Sequence, residues 1–87
     1  MRILFEKISE EKAGDVTLIN DLNSNKLILL EGTAYEIWEL LRMQSTIDVD
    51  CVCNMLVKKY NDVPESMIRN DILDFINSLK ELGYVKD

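Results

Sequence analysis

An α+β domain, with three antiparallel strands ahead of three helices (β-β-β-α-α-α), is what this 87-residue sequence predicts. Three observations carry the expectation. Residues 1–31 hold short, apolar, β-prone segments parted by Asn, Asp and Gly. From Thr33 onward, apolar residues recur every three or four positions, the period of a helix with one buried face. The length fits one domain with one modest core, burying roughly 60% of the surface the unfolded chain exposes.

The strands come first. Arg2–Ile8 is apolar and β-prone and predicts the first strand, followed by a charged, flexible connection from Ser9 to Asp15. Val16–Asn20 predicts the second. Asp21-Leu22-Asn23-Ser24-Asn25 is turn chemistry, because Asp and Asn side chains bond their own backbone and tolerate left-handed geometry. Lys26–Glu31 then predicts the third strand, joined to the second as a hairpin.

The helices follow Gly32. Thr33-Ala34-Tyr35-Glu36 fits a capping box, in which the Thr33 hydroxyl accepts from the Glu36 N–H and the Glu36 carboxylate from the Thr33 N–H. Ala34, Ile37, Trp38 and Leu41 form the inner stripe of this first helix, which runs to about Met43. Asp48 predicts the cap of the second helix, with Ile47 and Val52 as a hydrophobic staple. Val52, Leu56 and Tyr60 continue its stripe. Pro64 fits the first turn of the third helix, where its missing N–H is not needed. Ile68, Ile72, Phe75, Ile76, Leu79 and Leu82 line that helix, Gly83 caps it, and Tyr84-Val85 folds back on the core.

Composition removes many functions. Ten basic residues face sixteen acidic ones, for a net charge of -6. The deficit is even: residues 1–43 carry five basic against eight acidic, and residues 44–87 repeat those counts. No basic stripe tracks a phosphate backbone or an anionic membrane. The sequence has no His, so common zinc sites and His-dependent acid–base catalysis lack members. No Gly-rich phosphate cradle occurs, and no cofactor is called for. Asp48 and Asp50 suit a helix N-terminus rather than a catalytic pair. Cys51 and Cys53 point about 200° apart on a helix and make no disulfide scaffold. Met1–Phe5 is too short for a signal-peptide core, so the expected compartment is the reducing cytoplasm.

The third strand is the informative segment. Leu27 and Leu29 point one way, Ile28 and Leu30 the other, so both faces of Lys26–Glu31 are apolar and each needs a cover. Either the protein's own helices and N-terminal strand supply both covers, or one face and an open edge receive a strand from a partner. The third helix, Pro64–Leu82, carries Arg69 and Lys80 against Glu65, Asp71, Asp74 and Glu81, a balance that suits a peptide with Lys or Arg. Lys26, Leu27, Ile28, Leu29, Leu30 and Glu31, with Arg69, Asp71, Asp74 and Ser78, are the candidate binding residues. Trp38 reads as a core anchor. Tyr35 lies off the stripe, where it can border a cleft.

Assembled, these pieces resemble the PqqD-like family, the peptide chaperone of pyrroloquinoline quinone biosynthesis and related recognition elements of ribosomal peptide pathways. The resemblance runs from about Val16 to Val85. It rests on Lys-Leu-Ile-Leu-Leu-Glu-Gly-Thr-Ala-Tyr-Glu-Ile-Trp-Glu-Leu-Leu over residues 26–41, on Val52, Leu56 and Tyr60, and on Asp71, Phe75, Leu79 and Gly83-Tyr84-Val85. It implies a winged helix-turn-helix-like fold without catalytic activity. It also implies that a precursor's leader segment adds as a strand beside Lys26–Glu31, in a groove shared with the third helix. The partners it implies are that leader and a maturation enzyme: a radical S-adenosylmethionine enzyme, a leader protease or a cyclase. Glu31-Gly32 departs from the polar pair the family often places before Thr-Ala. The chain reads as a stand-alone element, residues 1–87, monomeric or paired edge to edge as a homodimer.

Two other functions fit parts of the pattern. A winged-helix transcription regulator shares the fold, but its DNA-reading helix needs basic neighbours that the net-acidic third helix lacks. A dimerising structural adaptor would use the same open strand edge to pair with its own copy.

Overall fold

Alternation in Val16–Asp21 places Thr17 and Ile19 in the core and turns Leu18 outward, and the sheet is built around that segment. The computed structural model describes every residue from Met1 to Asp87. In chain order the elements are β1 (Arg2–Ile3), a 3-10 turn (Phe5–Lys7), β2 (Ile8–Ala13), β3 (Val16–Asp21), β4 (Leu27–Leu30), α1 (Thr33–Leu41), α2 (Val49–Lys59), α3 (Glu65–Glu81) and β5 (Val85–Lys86). The main sheet is antiparallel in the order β2-β3-β4, so β3 is central and β2 and β4 are edges. The three helices follow it, as the sequence predicts.

The N-terminal strand is where expectation and structure part. Arg2–Ile8 is not one strand: only Arg2 and Ile3 extend, and they pair with Lys86 and Val85 of β5. The main-sheet strand is instead Ile8–Ala13, most of which the sequence suggested was a flexible connection. Tertiary partners explain the switch, since strand propensity yields to the context that packs each face. Glu10 and Lys12 face the helices and are satisfied there: Glu10 accepts from Trp38, and Lys12 pairs with Glu39 at 3.0 Å.

One indole joins the sheet to the helices. Trp38 of α1 is 0% exposed, and its ring meets the edges of Phe5 at 5.7 Å and Phe75 of α3 at 6.5 Å. Its Nε1–H donates to Glu10 Oε1 at 2.6 Å, and Arg42 donates to the other Glu10 oxygen at 3.3 Å. Around it lie Ile19 and Leu30 from the sheet, Ile37 and Leu41 from α1, Val52 and Leu56 from α2, and Ile72 and Ile76 from α3.

Helix ends follow the sequence in part. Asp48 caps α2 by accepting from the Cys51 N–H at 3.1 Å, and Ile47 and Val52 both join the core. Gly83, at φ +83°, allows the reversal that ends α3: the Tyr84 N–H donates to the Leu79 carbonyl and the Gly83 N–H to that of Lys80. Pro64 is the residue before α3 rather than within its first turn. Leu82 is 39% exposed and lies outside the stripe, and Met43, beyond the end of α1, is 82% exposed. The capping box on Thr33 does not form. Gly32 is the N-cap, with φ +61° and ψ -133°, and this sharp entry from β4 leaves the Glu36 carboxylate to bond Lys59 Nζ at 2.5 Å and the Tyr60 hydroxyl.

The termini close under the sheet. Leu4 donates to the Tyr84 carbonyl at 2.7 Å and Ile47 to the Met1 carbonyl at 2.8 Å. The buried Tyr84 hydroxyl donates to Asp21 Oδ2 at 2.6 Å, while Asp21 Oδ1 accepts from the N–H groups of Asn23 and Ser24. The Tyr84 hydroxyl bond, followed by the turn N–H groups, holds the Asp21 carboxyl down to about 2. Burial first, then the Asp21 bond, pushes the Tyr84 phenol up to about 12. A depressed carboxyl stabilises the fold above its unfolded pKa of about 4. Denaturation midpoints should therefore hold steady above that value and fall as pH drops toward about 2. At the alkaline end they should fall from about 10, the unfolded phenol value, toward about 12. Urea titrations across pH check this: Asp21→Asn should flatten the acid limb relative to wild type, and an unchanged limb would contradict the assignment.

Candidate functional site

β4 has one neighbour. Thr17, Leu18, Ile19 and Asn20 of β3 pair with Leu30, Leu29, Ile28 and Leu27, and no strand lies on the other side. The Asp21 N–H donates to the Lys26 carbonyl at 2.9 Å, which sets the alternation of the ladder. Ile28 and Leu30 therefore exchange their bonds with Ile19 and Thr17, while the N–H groups of Leu27, Leu29 and Glu31 face the open edge. Lys26 and Glu31, at the two ends, are exposed.

The two faces of β4 differ, which the apolar run alone did not reveal. Leu30 is 5% exposed and Ile28 packs against the core. Leu27 and Leu29 are 69% and 55% exposed on the outer face, beside Leu18 of β3. Of the two possible covers, the intramolecular one fails: one layer of helices covers one face, and the N-terminal segment that would shield the other pairs with β5 instead. A shallow depression of about 190 Å³ lies on this outer face, between Ser9, Glu11, Leu18, Asn20 and Leu27. Sequence alone does not single out Leu18, because only the register shows that it joins Leu27 and Leu29.

The α3 candidates separate into two sets. Asp71, Asp74 and Ser78 are exposed, and helical spacing puts them within about 60° of one another. Neither aspartate is in an ion pair, and the Ser78 hydroxyl donates to the Asp74 carbonyl at 3.0 Å. Arg69 lies about 200° from Asp71 around the helix. It is bound to Asp50 in the first turn of α2 at 2.7 Å, a bond that raises its pKa. β4 packs on α1, whereas α3 packs on α1, α2 and β5. Neither of the two principal concavities lies between β4 and α3.

The larger concavity is elsewhere. A cleft of about 790 Å³ opens between α1 and α2 at the end of the sheet, and Tyr35 borders it. At its wall, burial raises the Glu36 pKa but the bonds from Lys59 and Tyr60 outweigh that, so the carboxyl sits below its usual range. Glu36 in turn raises the Lys59 ammonium and the Tyr60 phenol.

Comparison with known proteins bears on this geometry. The sequence matches the family described as Coenzyme PQQ synthesis protein D (PqqD) over residues 17–85, most of the chain. The chain belongs to the PqqD family. No curated protein sequence matches it. Among solved structures, it is similar to TbiB1 in complex with the TbiA(beta) leader peptide. The TM-score is 0.85, with 18% identity and 100% of each chain covered, so the likeness is one of fold. The PqqD match takes in the whole of β4 and α3 and leaves out β1 and β2.

The exposed and buried leucines of β4 give a direct test of which face is free. Leu30→Asp would put an unpaired charge in the core and should lower stability by about 3 kcal/mol or more. Leu29→Asp should change it by about 1 kcal/mol or less. Denaturant unfolding followed by circular dichroism checks both. Equal losses at the two positions would contradict the facing described.

Proposed function

We propose that this PqqD-family chain is a non-catalytic carrier that captures the leader segment of a ribosomally made precursor peptide and presents it to a maturation enzyme in the cytoplasm. The observation that carries the reading is the unpaired edge of β4. Three N–H groups and the intervening carbonyls of a strand with an exposed apolar face are ready-made for strand addition. Backbone pairing supplies affinity there. Leu27 and Leu29, with the half-buried Leu18 beside them, supply selectivity, since covering each exposed leucine is worth roughly 1–2 kcal/mol. The TbiB1 complex supports a leader as the occupant, because that chain shares this fold along its full length.

On this reading Lys26–Glu31 form the pairing strand. Asp71, Asp74 and Ser78, exposed on α3, offer an acidic surface for Lys or Arg of the leader. Arg69 stays with Asp50 and steadies α2 against α3. The enzyme that receives the leader is of the radical S-adenosylmethionine, leader-protease or cyclase type.

Calorimetric titration with synthetic leaders of short precursors encoded beside this chain's gene tests the proposal. A cognate leader should bind in the micromolar range or tighter. N-methylation of single leader amides should weaken binding at every second position, by about fivefold or more where a β4 carbonyl loses its donor. Saturable binding without that alternation would refute strand addition. Absence of binding across the panel would refute the leader as ligand.

A further inference from the structure

The cleft between α1 and α2 contains no residue of β4 or α3, so the leader-binding reading leaves it unused. Its lining is acidic: Asp15 at the tip between β2 and β3, Glu36 and Glu39 of α1, against the single cation Lys59. Its apolar wall is made by Tyr35, Leu40, Met55 and Leu56. Glu39 is divided between two environments. Its Oε2 meets Lys12 at 3.0 Å and Arg42 at 3.8 Å, while its Oε1 is buried and accepts no hydrogen bond from the protein. That oxygen is closed to solvent, but the Glu39 side chain as a whole is 24% exposed, so its negative charge acts on the cleft it lines.

Charge balance indicates what the cleft accepts. Counting the groups packed on Glu39 as well, the carboxylates of Asp15, Glu10, Glu36 and Glu39 exceed the cations Lys12, Arg42 and Lys59 by one. The aromatic walls already attract ammonium groups, with Lys12 5.5 Å from the centre of the Tyr35 ring and Lys59 5.6 Å from that of Tyr60. An apolar-walled cleft with surplus negative charge matches a long basic side chain, whose stem packs while its charged head meets the carboxylates.

We propose that this cleft is a docking site for an arginine side chain of the partner protein to which the leader is delivered. The identity of that partner rests on the carrier reading above; recognition of the guanidinium does not. The cleft shares no residue with the β4 edge and begins at Gly32, just beyond Glu31, so delivery on this reading has leader and partner side by side.

Two-dimensional NMR of the ¹⁵N-labelled full chain tests this, with N-acetyl-arginine amide as probe and N-acetyl-glutamate amide as comparator. The arginine amide should move resonances of Asp15, Tyr35, Glu39 and Leu40 saturably, and the glutamate amide should not. Glu39→Gln should weaken the arginine amide about tenfold or more. Asp15→Asn, at the exposed hairpin tip, should weaken it about twofold to fivefold and decides the matter if Glu39→Gln does not fold. Leader affinity, measured separately, should be unchanged in both variants. Equal shifts with the glutamate amide, wild-type arginine binding in the variants that fold, or a parallel loss of leader affinity would each overturn the cleft as a distinct basic-side-chain site. Failure of every leader to bind wild type strikes the carrier reading alone, since the arginine titration is read independently.

Discussion

A single layer of helices can cover one face of a three-stranded sheet, and Trp38 fixes which face that is. Its buried indole touches the segment before β2 and the middle of α3, and its N–H is tied to a carboxylate on β2. Once that joint is made, Ile8, Ile19 and Leu30 turn inward with it. Leu18, Leu27 and Leu29 are then forced outward by the two-residue period of the strands. The apolar outer face follows from where the helices had to go.

The open edge follows from the same joint. α1 begins at Gly32, immediately after β4, and its N-terminal turn carries the chain beneath the sheet. The remaining strand-forming segment, β5, pairs with β1 in a separate two-stranded sheet. The protein therefore has no strand left to lay against β4. Large exposed leucines on such an edge are a hazard in a protein that has no partner and an asset in one that has. On the carrier reading proposed above, the second interpretation applies.

Much of this was legible in the sequence, and the parts that were not share a cause. Helix stripes, the Asp48 cap, the Gly83 stop and the turn at Asp21–Asn25 are encoded locally, by spacing and by side chains that bond their own backbone. β2 was not legible, because its Ser-Glu-Glu-Lys core looks like a solvated loop until Glu10 and Lys12 find Trp38 and Glu39, 28 and 27 positions away. The capping box fails because the entry at Gly32 puts Thr33 inside the helix rather than at its cap, and Glu36 bonds Lys59 and Tyr60. On the candidate site, the apolar doubling of Lys26–Glu31 singled out a strand that has an open edge, but only the register separates its faces. The α3 candidates needed the position of Asp50 to set Arg69 apart from Asp71, Asp74 and Ser78.

Amide hydrogen exchange along β4, measured by NMR with and without the leader that titrates, tests the central claim most directly. Ile28 and Leu30 are bonded to β3 and should exchange slowly in both states. Leu27, Leu29 and Glu31 should exchange fast in the free chain and slow together when the leader is bound. Leader binding that leaves those three fast, while protecting amides elsewhere, would contradict an account built on the free edge of this strand.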